Sequence, residues 1–242
     1  YWTANTPYLP GVWATVRRAP VGLNPSYAMI YSGTRTPRAI CFALDRSGSM
    51  GGERLATMKA AISNVLDLIS ASAESGVQID LCAIGWNEST SSITRRSVDA
   101  GDVDAVDSFV QALTASGGTN FNSAANAAAT FFNNTSASIT ERFLFFITDG
   151  EPTDNPATAG ATIFGISPAV KSYGINIILE DISGTEQIDN TPEDGVPIVD
   201  GDDPTGLRNA VIDALFADNV IGDANPAHII YECLTNTDWG MG

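Results

Sequence analysis

The sequence has few of the residues on which most enzyme chemistry depends. Its 242 residues include one histidine and three cysteines. The histidine, His228, lies near the end of the chain, so a Ser-His-Asp triad would depend on one residue outside the predicted central domain. The chain also lacks a GxSxG nucleophile elbow and a Walker phosphate-binding loop. We therefore predict that the protein is not an enzyme.

Positive charge is also scarce. Lysine and arginine total 12 against 28 acidic residues, which gives a formal net charge of -16. Such a surface repels phosphate backbones and anionic lipid headgroups. No apolar run is long enough to span a membrane, and the first residues, YWTANTPYLP, lack the basic segment of a signal peptide. We expect no nucleic-acid partner, no membrane insertion and no signal peptide, in a chain that reads as part of a longer polypeptide.

The cysteine pattern does not predict a disulfide framework. Cys41, Cys82 and Cys233 are an odd number, and the first two lie inside apolar runs. In such a run a thiol behaves as a small hydrophobic group. A reducing site of synthesis fits this pattern best.

The central part of the chain alternates between strand and helix patterns. Apolar runs that predict strands buried on both faces cover residues 39–44, 77–84, 142–148 and 174–180. Helical spacing of apolar residues covers 55–69, 103–113 and 123–132. This alternation predicts an α/β fold with an open, mostly parallel sheet and helices on both faces.

Three further segments complete the predicted domain. Residues 89–95 are polar and β-prone, which is typical of an exposed edge strand, here antiparallel to its neighbour. Residues 196–200 predict a final strand, which makes the predicted sheet six-stranded. Residues 204–216 predict a closing helix with Pro204 in its first turn.

Oxygen-bearing side chains follow two predicted strands and open one predicted helix. Asp45, Ser47 and Ser49 follow the first strand, Thr119 opens the alanine-rich helix, and Asp149 follows the third apolar run. Ligands of open parallel sheets gather at the carboxyl ends of the strands, so we expect these side chains to converge. Two carboxylates and three hydroxyls form a hard oxygen set that suits Mg²⁺ or Ca²⁺ and suits zinc poorly.

Each part of this set also has a simpler explanation. Aspartate and serine commonly cap helices, Thr119 could cap the following helix, and Asp149-Gly150 could be a turn. Capping gives no reason for such residues to recur at three sites in this order, so metal binding explains the whole set better. Other acidic groups are predicted to be helix starts; these are Asp99, Asp102, Asp104, Asp200, Asp202 and Asp203. Arg46 either shields the negative charge of the site or points outward.

The motifs DRSGS at 45–49, GTN at 118–120 and TDG at 148–150 resemble the metal-ion-dependent adhesion site of von Willebrand factor A (VWA) domains. The resemblance covers roughly residues 36–217. It implies a VWA/Rossmann-like domain at 36–218 that binds Mg²⁺, with Ca²⁺ and Mn²⁺ as alternatives. It also implies that Ser47, Ser49 and Thr119 supply hydroxyls, that Asp45 and Asp149 hold the metal directly or through water, and that one position stays open for a partner's carboxylate.

The end of the chain resembles a different class of protein. Residues 225–242, NPAHIIYECLTNTDWGMG, resemble a stretch of tail-tip and host-specificity proteins of siphophages and prophages. This resemblance implies that the VWA unit is inserted into a loop of a tail protein, whose flanking segments are residues 1–35 and 219–242. Loop insertion is tolerated when the termini of a domain lie close together.

These observations predict a non-enzymatic, divalent-cation-dependent binding module of a phage or prophage tail protein. We expect synthesis in the bacterial cytoplasm and a final location in the virion. The expected partners are a carboxylate-bearing protein or cell-surface ligand and other tail proteins. Two other functions stay open: a structural spacer in which metal only orders the loops, and an intracellular assembly factor that works beside an ATPase.

Overall fold

The computed structural model describes residues 36–74, 77–177, 182–191 and 196–216. All of these residues belong to one compact unit. The predicted flanking segments, with His228 and Cys233, lie outside the described residues. The predicted domain bounds therefore stay a prediction.

The described strands form one mixed sheet. They are β1 Arg38–Asp45, β2 Ile79–Trp86, β3 Thr90–Arg95, β4 Glu141–Thr148 and β5 Lys171–Asn176. Their order is β3-β2-β1-β4-β5, and every pair is parallel except β2 with β3. The mostly parallel sheet with an antiparallel edge strand is thus confirmed. Because β1 and β4 are parallel neighbours, the loops that follow them leave the same edge of the sheet.

Helices cover both faces of this sheet. They are α1 Glu53–Glu74, α2 Ala100–Gln111, α3 Phe121–Asn133, α4 Pro156–Phe164, the short α5 Ser183–Glu186 and α6 Pro204–Phe216. Apolar side chains of α1, α2 and α6 pack in one core, and those of α3 and α4 pack in another. Among the described residues, no helix is long and apolar enough to cross a membrane.

Strand β1 shows why its sequence is a continuous apolar run. Ile40, Phe42 and Leu44 belong to one core, whereas Ala39 and Cys41 belong to the other. Successive side chains of a strand point to opposite faces, so a central strand covered on both sides needs apolar residues throughout. Cys82 packs in the same core as Cys41, and both are buried free thiols, as their apolar surroundings predicted.

The sixth predicted strand, residues 196–200, is not confirmed. It is reduced to a single parallel bridge between Asn176 and Ile198. Pro197 accepts a hydrogen bond from the Asn176 N–H at 3.0 Å, and the Val199 N–H donates to the Asn176 carbonyl at 2.8 Å. Proline has no N–H to donate, which limits how far a ladder can extend through this segment.

Helix α4 was not predicted from the sequence. Its residues are PATAGATIF, and the Asn155 side chain caps it by accepting from the Ala157 N–H. The buried side of the helix carries Ala159, Gly160 and Ile163, so it has one large apolar residue where a buried helix face usually has several. A side chain at Gly160 would collide with the backbone carbonyl of Gln187. The helix therefore packs through close backbone contact at Gly160, and it lacks the regular spacing of large apolar residues from which a helix is predicted.

Candidate metal centre

Asp45 is the last residue of β1, and its carboxylate is fully buried. One carboxylate oxygen, Oδ1, accepts from the Ser47 N–H at 2.7 Å, and Oδ2 accepts from the Thr148 hydroxyl at 2.6 Å. Burial raises the pKa of Asp45 to about 6; the hydrogen bonds from Thr148 and Ser47 oppose this rise, and the nearby Asp149 adds to it. The chain thus holds a carboxylate in place where ionisation is costly without a cation.

A hydrogen-bonded series of side chains joins the loop after β1 to the loop after β4. The hydroxyls of Ser47 and Ser49 are 2.9 Å apart. Ser49 donates its hydroxyl to Asp149 Oδ1 at 2.8 Å, across a sequence separation of 100 residues. The structure therefore brings four of the five predicted donors, Asp45 included, into one connected group.

Thr119, the fifth predicted donor, lies beside the same group. A Cβ atom placed on Gly150 would be 3.5 Å from Ser49 Oγ and 3.8 Å from Thr119 Oγ1. The Gly48 N–H donates to the Gly117 carbonyl at 2.9 Å, and the Thr153 N–H donates to the Thr119 carbonyl at 2.7 Å. Backbone hydrogen bonds thus tie the loop that carries Thr119 to both of the other loops.

The capping explanation of Thr119 is wrong. Asn120 is the N-cap of α3, and its side chain accepts from the Ser123 N–H at 2.8 Å. The carboxylate of Asp154 accepts from the next two backbone N–H groups, those of Phe121 at 2.9 Å and Asn122 at 2.8 Å. The free amides at the start of α3 are satisfied by these residues, so the buried Thr119 hydroxyl is left for another role.

Capping does account for acidic residues outside the predicted donor set. Asp99 forms a capping box with Asp102 at the start of α2. Asp203 accepts from the Thr205 and Gly206 N–H groups at the start of α6. Ser47, by contrast, precedes a single 3₁₀ turn, Gly48–Met50, and makes no capping hydrogen bond through its side chain.

Asn87 and Thr148 position the site, and neither was assigned this role from the sequence. Asn87 follows β2 directly, and its side-chain amide donates to the Ser116 carbonyl at 2.6 Å. The same amide packs against Gly117, which has a φ of 77° and no room for a side chain. Thr148 fixes Asp45 from the end of β4. A polar residue at a strand end beside the site is the one signal that could have indicated either residue.

Arg54, in the first turn of α1, forms an ion pair with Asp149. Its Nη1 lies 2.7 Å from Asp149 Oδ2, and the exposed fractions of the two side chains are 36% and 0% respectively. Arg46, whose direction the sequence left open, instead donates to the Ser89 hydroxyl at 3.2 Å. Only one of these two arginines therefore neutralises a carboxylate of the site.

The donor set fits a hard divalent cation. All five predicted residues lie at the carboxyl edge of the sheet, and they offer carboxylate and hydroxyl oxygens only. In the described parts of the chain, no group of three or more His, Cys, Asp or Glu side chains is arranged to hold a metal. A cation here would depend on hydroxyls and water besides two carboxylates, which is a common arrangement for Mg²⁺.

A family model described as von Willebrand factor type A domain matches residues 39–191. The matched range contains all five predicted donors. No curated protein gives a significant sequence match to the chain.

Solved structures with the same fold come from several bacteria. The pilus adhesin SpaC of Lactobacillus rhamnosus GG has a TM-score of 0.62 and 14% identity, and the match covers 76% of this chain and 30% of SpaC. A von Willebrand factor type A structure from Catenulispora acidiphila has a TM-score of 0.61 and 18% identity, with coverages of 76% and 43%. BatB from Bacteroides thetaiotaomicron has a TM-score of 0.53 and 17% identity, with coverages of 74% and 98%. This chain thus spans less than half of the first two proteins, and identities this low show the fold alone.

Proposed function

Because this chain belongs to the von Willebrand factor type A domain family, we propose that it is a divalent-metal-dependent binding module without catalytic activity. The observation that carries the proposal is the convergence of oxygen donors from three loops at one edge of the sheet. Four donors, Asp45, Ser47, Thr119 and Asp149, are buried, and side chains that support no ligand have little reason to be gathered at such a cost.

The proposed ion is Mg²⁺, and Ca²⁺ and Mn²⁺ are compatible with the same oxygen donors. Ser47, Ser49 and Thr119 would contribute hydroxyl oxygens, and Asp45 and Asp149 would hold the ion directly or through water. When bound, the ion supplies the positive charge that attracts a carboxylate of the partner. The buried position of Asp45 strengthens its own hold on the ion, because charges interact more strongly where water is excluded.

The proposed partner is a protein or cell-surface ligand that presents a carboxylate. A chain with a formal net charge of -16 repels an acidic partner at long range, so contact would depend on the metal. SpaC is a pilus adhesin, which agrees with an adhesive use of this fold. Adhesion through a metal at the carboxyl edge is the function that the site supports best.

We further propose that the module is carried on a phage or prophage tail protein and reaches the virion after synthesis in the bacterial cytoplasm. The support is the resemblance of residues 225–242 to tail-tip proteins, in a segment that lies outside the described residues. Other tail proteins would then be its structural neighbours.

Calorimetric titration with Mg²⁺ tests the metal site. We expect heat of binding for the wild type and none for Asp45→Asn, which keeps the size of the side chain and removes its charge. Asp104→Asn removes an exposed carboxylate on α2 and serves as the control, with binding unchanged. Equal heats for the wild type and Asp45→Asn would rule out the proposed centre.

A second experiment separates adhesion from a spacer role. EDTA should abolish cell binding by intact particles that carry the domain, and excess Mg²⁺ should restore it. A spacer whose loops are merely ordered by metal would lose thermal stability in EDTA and keep cell binding.

A further inference from the structure

We infer that Arg54 is an internal counter-ion that competes with the metal for Asp149 and thereby lowers the metal affinity of the centre. The inference rests on the proposed function, because it concerns the same centre. It adds a residue outside the donor set as a determinant of affinity.

The carboxylate of Asp149 needs a positive charge close to it. Its side chain is completely buried, and an ionised carboxylate is costly in that environment without compensation. The Ser49 hydroxyl occupies Oδ1, and the guanidinium of Arg54 occupies Oδ2 at 2.7 Å. Without metal, Arg54 is thus the only described cation that contacts this carboxylate.

The guanidinium can leave Asp149 at low cost. Its side chain is 36% exposed, and its second contact, with the Ser49 carbonyl, is long at 3.4 Å. Arg54 also lines an open cleft of about 370 Å³ together with Glu53 and Asp202. Water and these two carboxylates can interact with the displaced guanidinium. Most of the free-energy cost of displacement is therefore the loss of one ion pair.

Metal and guanidinium are in conflict at this position. A divalent ion among the donors places a second positive charge a few ångströms from Arg54, and like charges at that distance repel each other. Removing the guanidinium takes away this repulsion and frees Asp149 Oδ2. We therefore expect Arg54→Met to bind Mg²⁺ about tenfold more tightly than the wild type, the effect of one pK unit of electrostatic coupling.

The opposite result would identify a different role. If Arg54 mainly orients Asp149 for the metal, its removal weakens binding. Calorimetric titration of the wild type, Arg54→Met and Arg54→Lys with Mg²⁺ distinguishes the two roles, because Arg54→Lys keeps the charge and should stay within about threefold of the wild type. Arg46→Met is the matched control: it removes the same charge close to the centre, from the loop after β1 and from a side chain that donates to Ser89, and it should also stay within about threefold.

A labelling experiment on the wild type makes the test independent of whether a variant folds. Phenylglyoxal modification, mapped by mass spectrometry, should increase severalfold at Arg54 when Mg²⁺ is added and should stay constant at Arg46.

The outcomes separate this inference from the proposed function. If the wild type binds Mg²⁺ while Arg54→Met binds it equally or more weakly, or if labelling of Arg54 does not change, only the inference is wrong. If neither the wild type nor Arg54→Met binds Mg²⁺, both are wrong.

Discussion

The two edges of the sheet differ in how they partner buried carboxylates. At the amino edge, where the parallel strands begin, Arg38 pairs with Glu141 at 2.7 Å, and Asp80 pairs with Arg96 at 2.8 Å. Among the described residues, the buried Arg142 at this edge has no carboxylate partner and donates to the Pro168 carbonyl at 3.4 Å. At the carboxyl edge, Asp45 and Asp149 are both buried, and among the described residues only Arg54 pairs with either of them. Within the described residues, the buried carboxylate of the amino edge, Asp80, thus has a cation partner, whereas the carboxyl edge has one more buried carboxylate than partnered cations.

This difference shows what separates a structural charge from a functional one. Buried ion pairs that are complete add little net stability, but removal of one partner is strongly destabilising. A buried carboxylate without a cation partner therefore destabilises the metal-free protein. We expect such an arrangement where an external cation completes the charge balance.

The largest predicted effect compares the two buried aspartates directly. Asp80→Asn should destabilise the fold by about 2 kcal/mol, because the ion pair with Arg96 is lost and the Ser97 N–H loses its charged acceptor, and should leave Mg²⁺ affinity unchanged. Asp149→Asn should reduce Mg²⁺ affinity by more than about 100-fold, the equivalent of roughly 2.7 kcal/mol. Urea denaturation and calorimetry on both variants measure the two quantities. Comparable losses of Mg²⁺ affinity in both variants would remove the distinction between the edges.

Metal addition should stabilise only proteins in which the five oxygen donors are intact. At a Mg²⁺ concentration about 100 times its Kd, linkage adds roughly 2.7 kcal/mol to the free energy of unfolding. Thermal unfolding in Mg²⁺ and in EDTA measures this shift. Asp45→Asn should show no shift, whereas Arg38→Met, at the amino edge, should show the full shift. A shift in Asp45→Asn as large as in the wild type would place the metal elsewhere.

The pH dependence of the metal-free protein should report on Asp45. Its pKa is raised to about 6 from an ordinary value of 3.8, so the folded protein binds this proton more tightly than the unfolded chain. The stabilising contribution is fully present below about 3.8 and is lost as the pH rises through about 6. The free energy of unfolding of the wild type relative to Asp45→Asn should therefore fall by about 2 kcal/mol between pH 4 and pH 7. A constant difference between the two proteins would contradict the prediction.

The smallest predicted effect concerns Thr148. Thr148→Val keeps the shape of the side chain and removes the hydroxyl that donates to Asp45 at 2.6 Å. The metal-free protein should lose about 1 to 2 kcal/mol, because a buried carboxylate loses a hydrogen bond. Thermal denaturation at neutral pH measures the loss, and Thr162→Val, on the exposed side of α4, provides the control. A smaller loss for Thr148→Val than for Thr162→Val would show that Asp45 does not depend on this hydroxyl.

Much of the fold could be predicted because the central strands are buried on both faces. Their apolar runs stand out in the sequence, and the polar run of β3 marks an edge for the opposite reason. Helix α4 could not be predicted, because Ile163 is the one large apolar residue on its buried side, beside alanine and glycine. The prediction of a sixth strand is not confirmed, because the strand-like composition around Pro197 does not produce a continuous ladder of hydrogen bonds.

The candidate donors could be named because each motif is local, but their supporting contacts could not. The partner of Asp149, Arg54, is 95 residues away, and Thr148 reaches Asp45 across 103 residues. Such pairings depend on strand order and register, which spacing along one segment does not encode. Metal binding by the five donors stays a prediction, which calorimetry can test.

The position of Asp45 at the end of β1 has a mechanical consequence. Strand β1 lies in the middle of the sheet and is paired along its length with β2 on one side and β4 on the other. A pulling force applied at this strand end, along the strand axis, would load both ladders in shear, so that many hydrogen bonds share the tension at once. A tether attached there would resist extraction far better than one attached to β3, which has a single neighbour and could be peeled away bond by bond.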